Sequence, residues 1–485
     1  MKIKFSSAPL GYYFLQNYYK FPNNNAIFVD DKYYSYKQLY NLVSSIYYEI
    51  SKIKGLRNII VTDNNDIYTY ASMLAVSLLN KTYVPISLNN PYEYNKNIIE
   101  KTKSKFMLTS SLNDEYSINY INTKTLKETS KTEIKCDVNK NNDAYIIFTS
   151  GTTGKPKGVK IKNSMVNYLF DYYLSKEFKL NENDRFLQIY DITFDVSVFS
   201  FFFPLYIGAC TYIVPKNNHK YLSIIKLLEE NKITVVSLIP SVLDYVSPYF
   251  DSINLPELRY NFFSGDKLYE QTIKKWSNCI PNSEIYNFYG PTETTIVNTV
   301  YKYNRNGENL SENGIISIGK PIKKNEYFIL KNKGEEIGEL CFRGEQTIKS
   351  YLNNTNKNKF CFYKGEKYYR TGDVVRKNKD GNLLFVGRTD KQVKINGFRI
   401  EIPEIEFYIK KYFDVPVAVL KQSNKNNIDY LIAFIEQEKE LNIEQELRKY
   451  LPDYKIPKEY YYIKKFPLNN NGKICEKELR IMMKK

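Results

Sequence analysis

The sequence predicts an α/β protein: a large N-terminal body of layered α/β sheets plus a β-barrel-like subdomain, followed by a small α+β unit at the C-terminal end. Three observations predict it. From about residue 144, short apolar runs alternate with amphipathic stretches, the rhythm of a largely parallel sheet covered on both faces. After about residue 300 the runs shorten and are separated by Gly, Asn and Lys, which favours an antiparallel barrel or meander. Beyond Arg388, Thr389, Asp390 and Lys391 the composition shifts again and a compact tail begins.

In chain order, the periodicity predicts a helix over 36–50 and a strand over 58–62. Strands follow at 144–149, 186–190, 210–214, 234–238, 258–263 and 284–288. Between them, 219–230 reads as a helix whose apolar face is Leu222, Ile225, Leu227 and Leu228. The stretch 196–214 has the length of a bilayer span, but Pro204 and Gly208 break it into a buried helix and a strand. The later runs are strands at 315–319, 326–330, 339–342 and 383–386, then 393–395, 415–420 and 430–434, with helices at 402–412 and 444–451. The division expected is 1–388 for the body, 389–391 for a hinge and 392–485 for a mobile tail.

Composition excludes several function classes. Of the 485 residues 43% are hydrophobic, too many for a mainly disordered chain. Lys and Arg total 70 against 53 Asp and Glu, a net charge of +17, but the excess is spread along the whole length. A nucleic-acid binder concentrates its charge on one face or tail, so none is expected here. The six cysteines are far apart with no CxxC, and the single histidine is His219. A zinc site, a disulfide scaffold and a histidine-centred hydrolase are therefore disfavoured. The N-terminus lacks the apolar run of a signal peptide, and a cytoplasmic protein without membrane insertion is expected.

Four segments carry chemistry. The first is an apolar strand opening into Thr149, Ser150, Gly151, Thr152, Thr153, Gly154, Lys155, Pro156, Lys157 and Gly158. Glycines admit backbone N–H groups close to an anion, and hydroxyls and ammoniums complete a phosphate cradle; the spacing is not that of a Walker A loop. In the second, Asn287, Phe288, Tyr289, Gly290, Pro291, Thr292 and Glu293 end a strand with a stacking ring, a hydroxyl and a hard carboxylate suited to Mg2+. Spacing alone fits a Gly-Pro turn with a helix cap equally well. In the third, Asp373, beside Gly372, suits two ribose hydroxyls, and Arg388 and Asp390 follow where the composition shifts. In the fourth, Lys473 follows Asn471 and Gly472, a pattern that by itself is a solvated turn.

In this order and over nearly the whole chain, these segments resemble the adenylate-forming superfamily, which includes amino-acid adenylation domains, D-alanyl carrier protein ligases, acyl-CoA synthetases and luciferase. Gly387, Arg388 and Asp390, with Gly397, Arg399, Ile400 and Glu401, belong to the same set; Ser350 departs from the Gly usual before Tyr351. The resemblance implies ATP and Mg2+ as cofactors. It assigns the triphosphate to the loop from Thr149 to Lys157, adenine to Tyr289 with Asn287, Gly290 and Thr292 nearby, and the ribose to Asp373 and Arg388. It makes Glu293 the metal ligand and Asp390 the hinge. It also lists Lys473, Thr149 and Glu293 as catalytic, with Lys473 touching the acyl carboxylate and the α-phosphate. A carboxylate attacking phosphorus brings two anions together, and a positioned cation is what a protein can best supply. Two half-reactions follow: acyl-AMP formation, then capture by a thiol.

By the same resemblance, Asp195 in Phe194-Asp195-Val196-Ser197 binds a substrate α-ammonium, although such an Asp is also a common helix N-cap. The remaining substrate positions are Val196, Phe199, Ser237, Phe262, Ser264, Gly265, Phe288, Ile296 and Val297. Three aromatics and three branched aliphatics imply a small or apolar amino acid, D-alanine among the candidates. The chain ends twelve residues after Lys473, so the expected partner is a discrete phosphopantetheinylated carrier protein. Such carriers are generally acidic, which would give the positive charge a use in steering.

Overall fold

The computed structural model describes residues 7–111, 115–127, 133–138, 141–150, 156–216, 220–322, 325–354, 357–413, 415–424, 428–437, 442–467 and 474–483. Among these residues, two large sheets form the body. In the first, six strands run parallel: Glu284–Tyr289, Tyr260–Phe263, Val235–Leu238, Arg185–Gln188, Cys210–Ile213 and Asn25–Val29. Antiparallel strands Thr299–Lys302, Lys320–Pro321 and Lys32–Ser35 finish its edges. The second sheet has the order Asn119–Asn122, Phe106–Thr109, Asn58–Thr62, Thr82–Ile86, Asp143–Thr149 and Lys157–Lys162, with only the last pair antiparallel. Strands such as Val235–Leu238 and Tyr260–Phe263 are buried along their whole length, the environment that apolar β-rich runs require.

Helices cover these sheets, and local chemistry sets their ends. Tyr36–Ser51 starts with a capping box: Gln38 N donates to Ser35 Oγ, and Ser35 N donates to Gln38 Oε1 at 2.8 Å. Val196–Ile207 is almost wholly buried and stops at Gly208, whose φ of +86° makes the left-handed cap. No described helix is long and apolar enough to cross a membrane.

After these two sheets the chain builds an antiparallel sheet from Glu326–Leu330, Ile337–Arg343, Glu366–Lys377, Phe360–Tyr363 and Leu383–Arg388. From Gln392 onward the described strands pair only with one another, as the hairpin Gln392–Ile395 with Phe398–Glu401 and the sheet Val417–Ser423, Asp429–Glu436 and Glu459–Ile463. Two hydrophobic clusters consist only of residues beyond position 391. Several predicted elements are shorter than expected, two of them by half or more. The helix over 444–451 is Glu444–Leu447, with Pro452 ahead of it, and the strand over 315–319 is Ile315–Ile316.

The tail's hairpin lies against the body. Gly397 has φ +79°, and a Cβ there would sit 2.8 Å from Ile239 Cδ1, so the turn needs glycine both for its conformation and for its close approach. Phe398 packs edge-on to Phe194 at 5.2 Å and stacks on Tyr454 at 4.1 Å.

Candidate active site

A cavity of about 410 Å3 opens where the body meets this hairpin. Its walls include the residues that follow the parallel strands, the usual place for ligands in open α/β sheets.

Asp195 stands at the start of helix Val196–Ile207. It makes no side-chain cap hydrogen bond, and among the described residues its Oδ2 is buried without a partner. Burial pushes its pKa up to about 6, and the charge of Glu293 adds to this. The Thr292 hydroxyl and the backbone N–H groups of Val196 and of Asp195 itself pull the other way. Val196, Ser264, Gly265 and Ile296 also line the cavity. Ile296 follows Thr295, and both hold left-handed backbone, at φ +67° and +60°. Gln346 secures this turn by donating to Thr295 O and Val297 O at 3.0 and 2.9 Å. A β-branched residue at positive φ persists only where its surroundings over-determine it.

Phe199, Ser237, Phe262, Phe288 and Val297 lie behind this wall rather than on it. Phe262 stacks on Phe288 at 4.6 Å, and Phe199 meets Phe262 edge-on at 5.7 Å. Ser237, the register partner of Phe262, lies 3.2 Å from Tyr190 Oη.

At the other end of the cavity, strand Glu284–Tyr289 delivers Tyr289, whose hydroxyl donates to Asp373 Oδ2 at 2.5 Å. Asp373 and Arg388 are partners across an antiparallel pair and form an ion pair. Arg388 Nε donates to Asp390 Oδ1 at 2.7 Å, and Lys359 Nζ lies 3.1 Å from Asp390 Oδ2. Burial works against ionising Asp390, but Arg388 and Lys359 hold its pKa at about 2. Gly290, Thr292, Asp373 and Arg388 line the cavity, whereas Asn287 is buried and donates to Ser317 O at 3.0 Å.

Glu293 is fully buried in the short helix Thr292–Thr294. Tyr351 Oη donates to its Oε1 at 2.6 Å, and Arg399 Nη1 lies 2.8 Å from its Oε2. Burial would raise its pKa, but Arg399 and Tyr351 bring it below the ordinary value. As a metal ligand Glu293 does not fit in this arrangement: both oxygens are engaged, one by a cation of the chain itself. No cluster of three or more His, Cys, Asp or Glu able to hold a metal occurs among the described residues.

Thr149 and Ser150 end strand Asp143–Thr149 on the cavity wall. Thr149 Oγ1 is buried without a partner among the described residues, and Ser150 Oγ donates to Arg399 O at 2.9 Å. Lys157 faces Thr149 in register, and burial lowers its pKa. Gly151, Thr152, Thr153, Gly154, Lys155, His219 and Lys473 lie outside the described residues.

Two features escaped the sequence reading. Arg399 belongs to a recognised motif, but nothing local signals a bond to Glu293, more than a hundred positions away. The second is a cluster at the surface in which Lys216 Nζ reaches the buried Asp63 Oδ2 at 2.5 Å and the half-buried Asp191 Oδ2 at 2.9 Å. Burial, with Asp191 beside it, pushes the pKa of Asp63 up to about 7, while Lys216 opposes the shift.

A family profile described as AMP-binding enzyme matches residues 14–352. The D-alanine--D-alanyl carrier protein ligase of Lactococcus lactis is 31% identical over 477 residues, covering 92% of this chain and 93% of its own. Zwittermicin A synthase ZmaJ of Bacillus cereus is 33% identical over 428 residues, covering 82% and 80%. The Vibrio cholerae adenylation domain AlmE, solved with glycyl-adenosine-5'-phosphate, superposes with a TM-score of 0.85 at 25% identity, covering 98% of this chain and 97% of its own. The chain belongs to the AMP-binding enzyme family of adenylate-forming ligases.

Proposed function

We propose that the protein activates a small or apolar α-amino acid with ATP, releasing pyrophosphate, and passes the aminoacyl group to the phosphopantetheine thiol of a separate carrier protein. The observation that carries this reading is Asp195, a buried carboxylate with one oxygen left without a partner among the described residues and sharing one cavity with Tyr289 and Asp373. A substrate α-ammonium supplies the missing partner through a charge-assisted bond. The likeness to a D-alanine--D-alanyl carrier protein ligase supports it, as does a solved relative holding glycyl-adenosine-5'-phosphate.

In this reading Tyr289 and the Asp373–Arg388 pair take adenosine, and the loop from Thr149 to Lys157 takes the phosphates. Lys473 brings its ammonium to the reacting carboxylate and α-phosphate. Residues 392–485 move as a unit about Asp390, so that Lys473 and the Gly397 hairpin serve successive half-reactions. ATP–pyrophosphate exchange across D- and L-amino acids tests the proposal. Exchange with a small or apolar amino acid, lost in Lys473→Ala, supports it; exchange with none of them, or only with acids lacking an α-amino group, overturns it.

A further inference from the structure

We infer that Lys216, together with Asp63 and Asp191, is a positioning residue for Asp195. The three anchor the loop before helix Val196–Ile207, so that the Asp195 carboxylate faces the cavity instead of capping its own helix. The inference rests on the amino-acid reading above and adds to it the residues that hold its key carboxylate in place.

The loop runs from the end of strand Arg185–Gln188 to the start of that helix and belongs to neither, so its backbone donors need other partners. Three successive N–H groups find them in two aspartates. Ile192 N donates to Asp63 Oδ2 at 3.2 Å, Thr193 N to Asp191 Oδ1 at 2.9 Å, and Phe194 N to the backbone oxygen of Asp191 at 3.0 Å. The Thr193 hydroxyl adds a bond of 2.6 Å to Asp191 Oδ1. Lys216 then joins the two carboxylates, and among the described residues no other cation forms an ion pair with either. Asp63 follows strand Asn58–Thr62 of the second sheet, whereas Asp191 and Lys216 follow neighbouring strands of the first. The cluster therefore ties the two sheets together at the rim of the cavity, whose wall includes Asp191 itself.

The consequence reaches Asp195. An N-cap residue ordinarily has extended backbone and accepts from the second or third N–H of its helix. Asp195 instead has helical backbone, φ −67° and ψ −23°. The N–H groups that a cap would take are already engaged: Ser197 N donates to Phe194 O at 3.1 Å and Val198 N to Asp195 O at 3.0 Å. The turn from Asp191 to Phe194 feeds straight into the helix, and the Asp195 side chain is left on the cavity wall. Loss of Lys216 strips the cation from Asp63, whose side chain is 1% exposed, while Asp191 stays beside it. Two uncompensated carboxylates repel, the loop relaxes, and Asp195 is free to turn to extended backbone and cap its own helix.

Calorimetry with glycyl-sulfamoyl adenosine and its des-amino acetyl counterpart tests this, because the ratio of the two affinities reads the bond between Asp195 and the ammonium. The wild type is expected to prefer the glycyl compound by roughly 10–10²-fold. In Lys216→Met, and in the milder Lys216→Gln, the preference is expected to fall to about threefold or less, with affinity for the acetyl compound within about twofold of wild type. Lys216→Arg keeps a cation between the carboxylates and is expected to retain most of the preference. Arg259→Met is the control: it strips the cation from buried Asp184, at the opposite end of strand Arg185–Gln188, and is expected to lower stability without changing the ratio. A full preference in Lys216→Met or Lys216→Gln overturns the inference and leaves amino-acid activation standing. An equal loss of preference in Arg259→Met shows that the ratio follows stability, and overturns it as well. Equal affinities in the wild type overturn both.

Discussion

Asp195 and Glu293 are buried carboxylates close enough to repel one another, yet the fold treats them in opposite ways. Glu293 has a guanidinium and a phenol on its oxygens, and its pKa lies below the ordinary value. Asp195 keeps an oxygen without a partner among the described residues, and its pKa rises to about 6. A charge buried without compensation is expensive, so the contrast separates two kinds of site. The chain supplies Glu293's cation from its own tail, through Arg399. Among the described residues none supplies one for Asp195, and in the proposed reading the ligand does.

The comparison breaks most visibly at Glu293. Glu293→Gln strands Arg399 without its counter-ion and is expected to cost about 3–5 kcal/mol, read by denaturant unfolding. Adding Arg399→Met should recover much of that loss, because removing both partners of a buried pair is far less costly than removing one. If the single and double variants are equally unstable, the pair is not what holds Glu293.

Asp195→Asn should do the reverse. It removes an uncompensated charge, so stability at pH 8 is expected to stay level or rise, while amino-acid affinity drops by about 1.5–3 kcal/mol with the lost charge-assisted bond. A large loss of stability would show that Asp195 is a structural residue.

The pH dependence sharpens the same contrast. The folded pKa of Asp195 lies above its unfolded value of 3.8, so its contribution to apo stability is present below about pH 4 and lost as pH rises through about 6. In the proposed reading, amino-acid binding needs the ionised form and changes in the opposite direction. Below pH 6, kcat/KM for the amino acid should approach a tenfold fall per pH unit, and Asp195→Asn should abolish that limb. Because the charge of Glu293 helps raise the pKa of Asp195, Glu293→Gln should move the inflection to lower pH. The smallest effect expected is Tyr351→Phe, about 1 kcal/mol for one hydrogen bond to Glu293, again by unfolding.

The contrast also shows where sequence reasoning stops. Strand Asn58–Thr62, helix Tyr36–Ser51 and the helix–strand break at Gly208 were legible because periodicity, caps and breakers are local signals, whereas the helix runs on through Pro204. The glycine-rich loop and the segment around Tyr289 were legible as motifs for the same reason. Asp195 was picked out, but its lack of a cap bond was not foreseeable, since Asp at that position so often makes one. The aromatic positions beside it could be enumerated. That Phe199, Phe262 and Phe288 pack on one another instead of lining the cavity depends on the order of the strands, which local patterning does not encode. The bonds from Arg399 to Glu293 and from Lys216 to Asp63 join distant segments and have no local signature at all.

The central claim is that Asp195 awaits a ligand's ammonium, and one calorimetric comparison tests it directly. Glycyl-sulfamoyl adenosine and its des-amino acetyl counterpart are titrated at pH 7.5 into wild-type protein and Asp195→Asn. The account predicts that the wild type prefers the glycyl compound by roughly 10–10²-fold, as one charge-assisted bond implies, and that the variant binds the two about equally. Equal affinities in the wild type, or an undiminished preference in the variant, would contradict it.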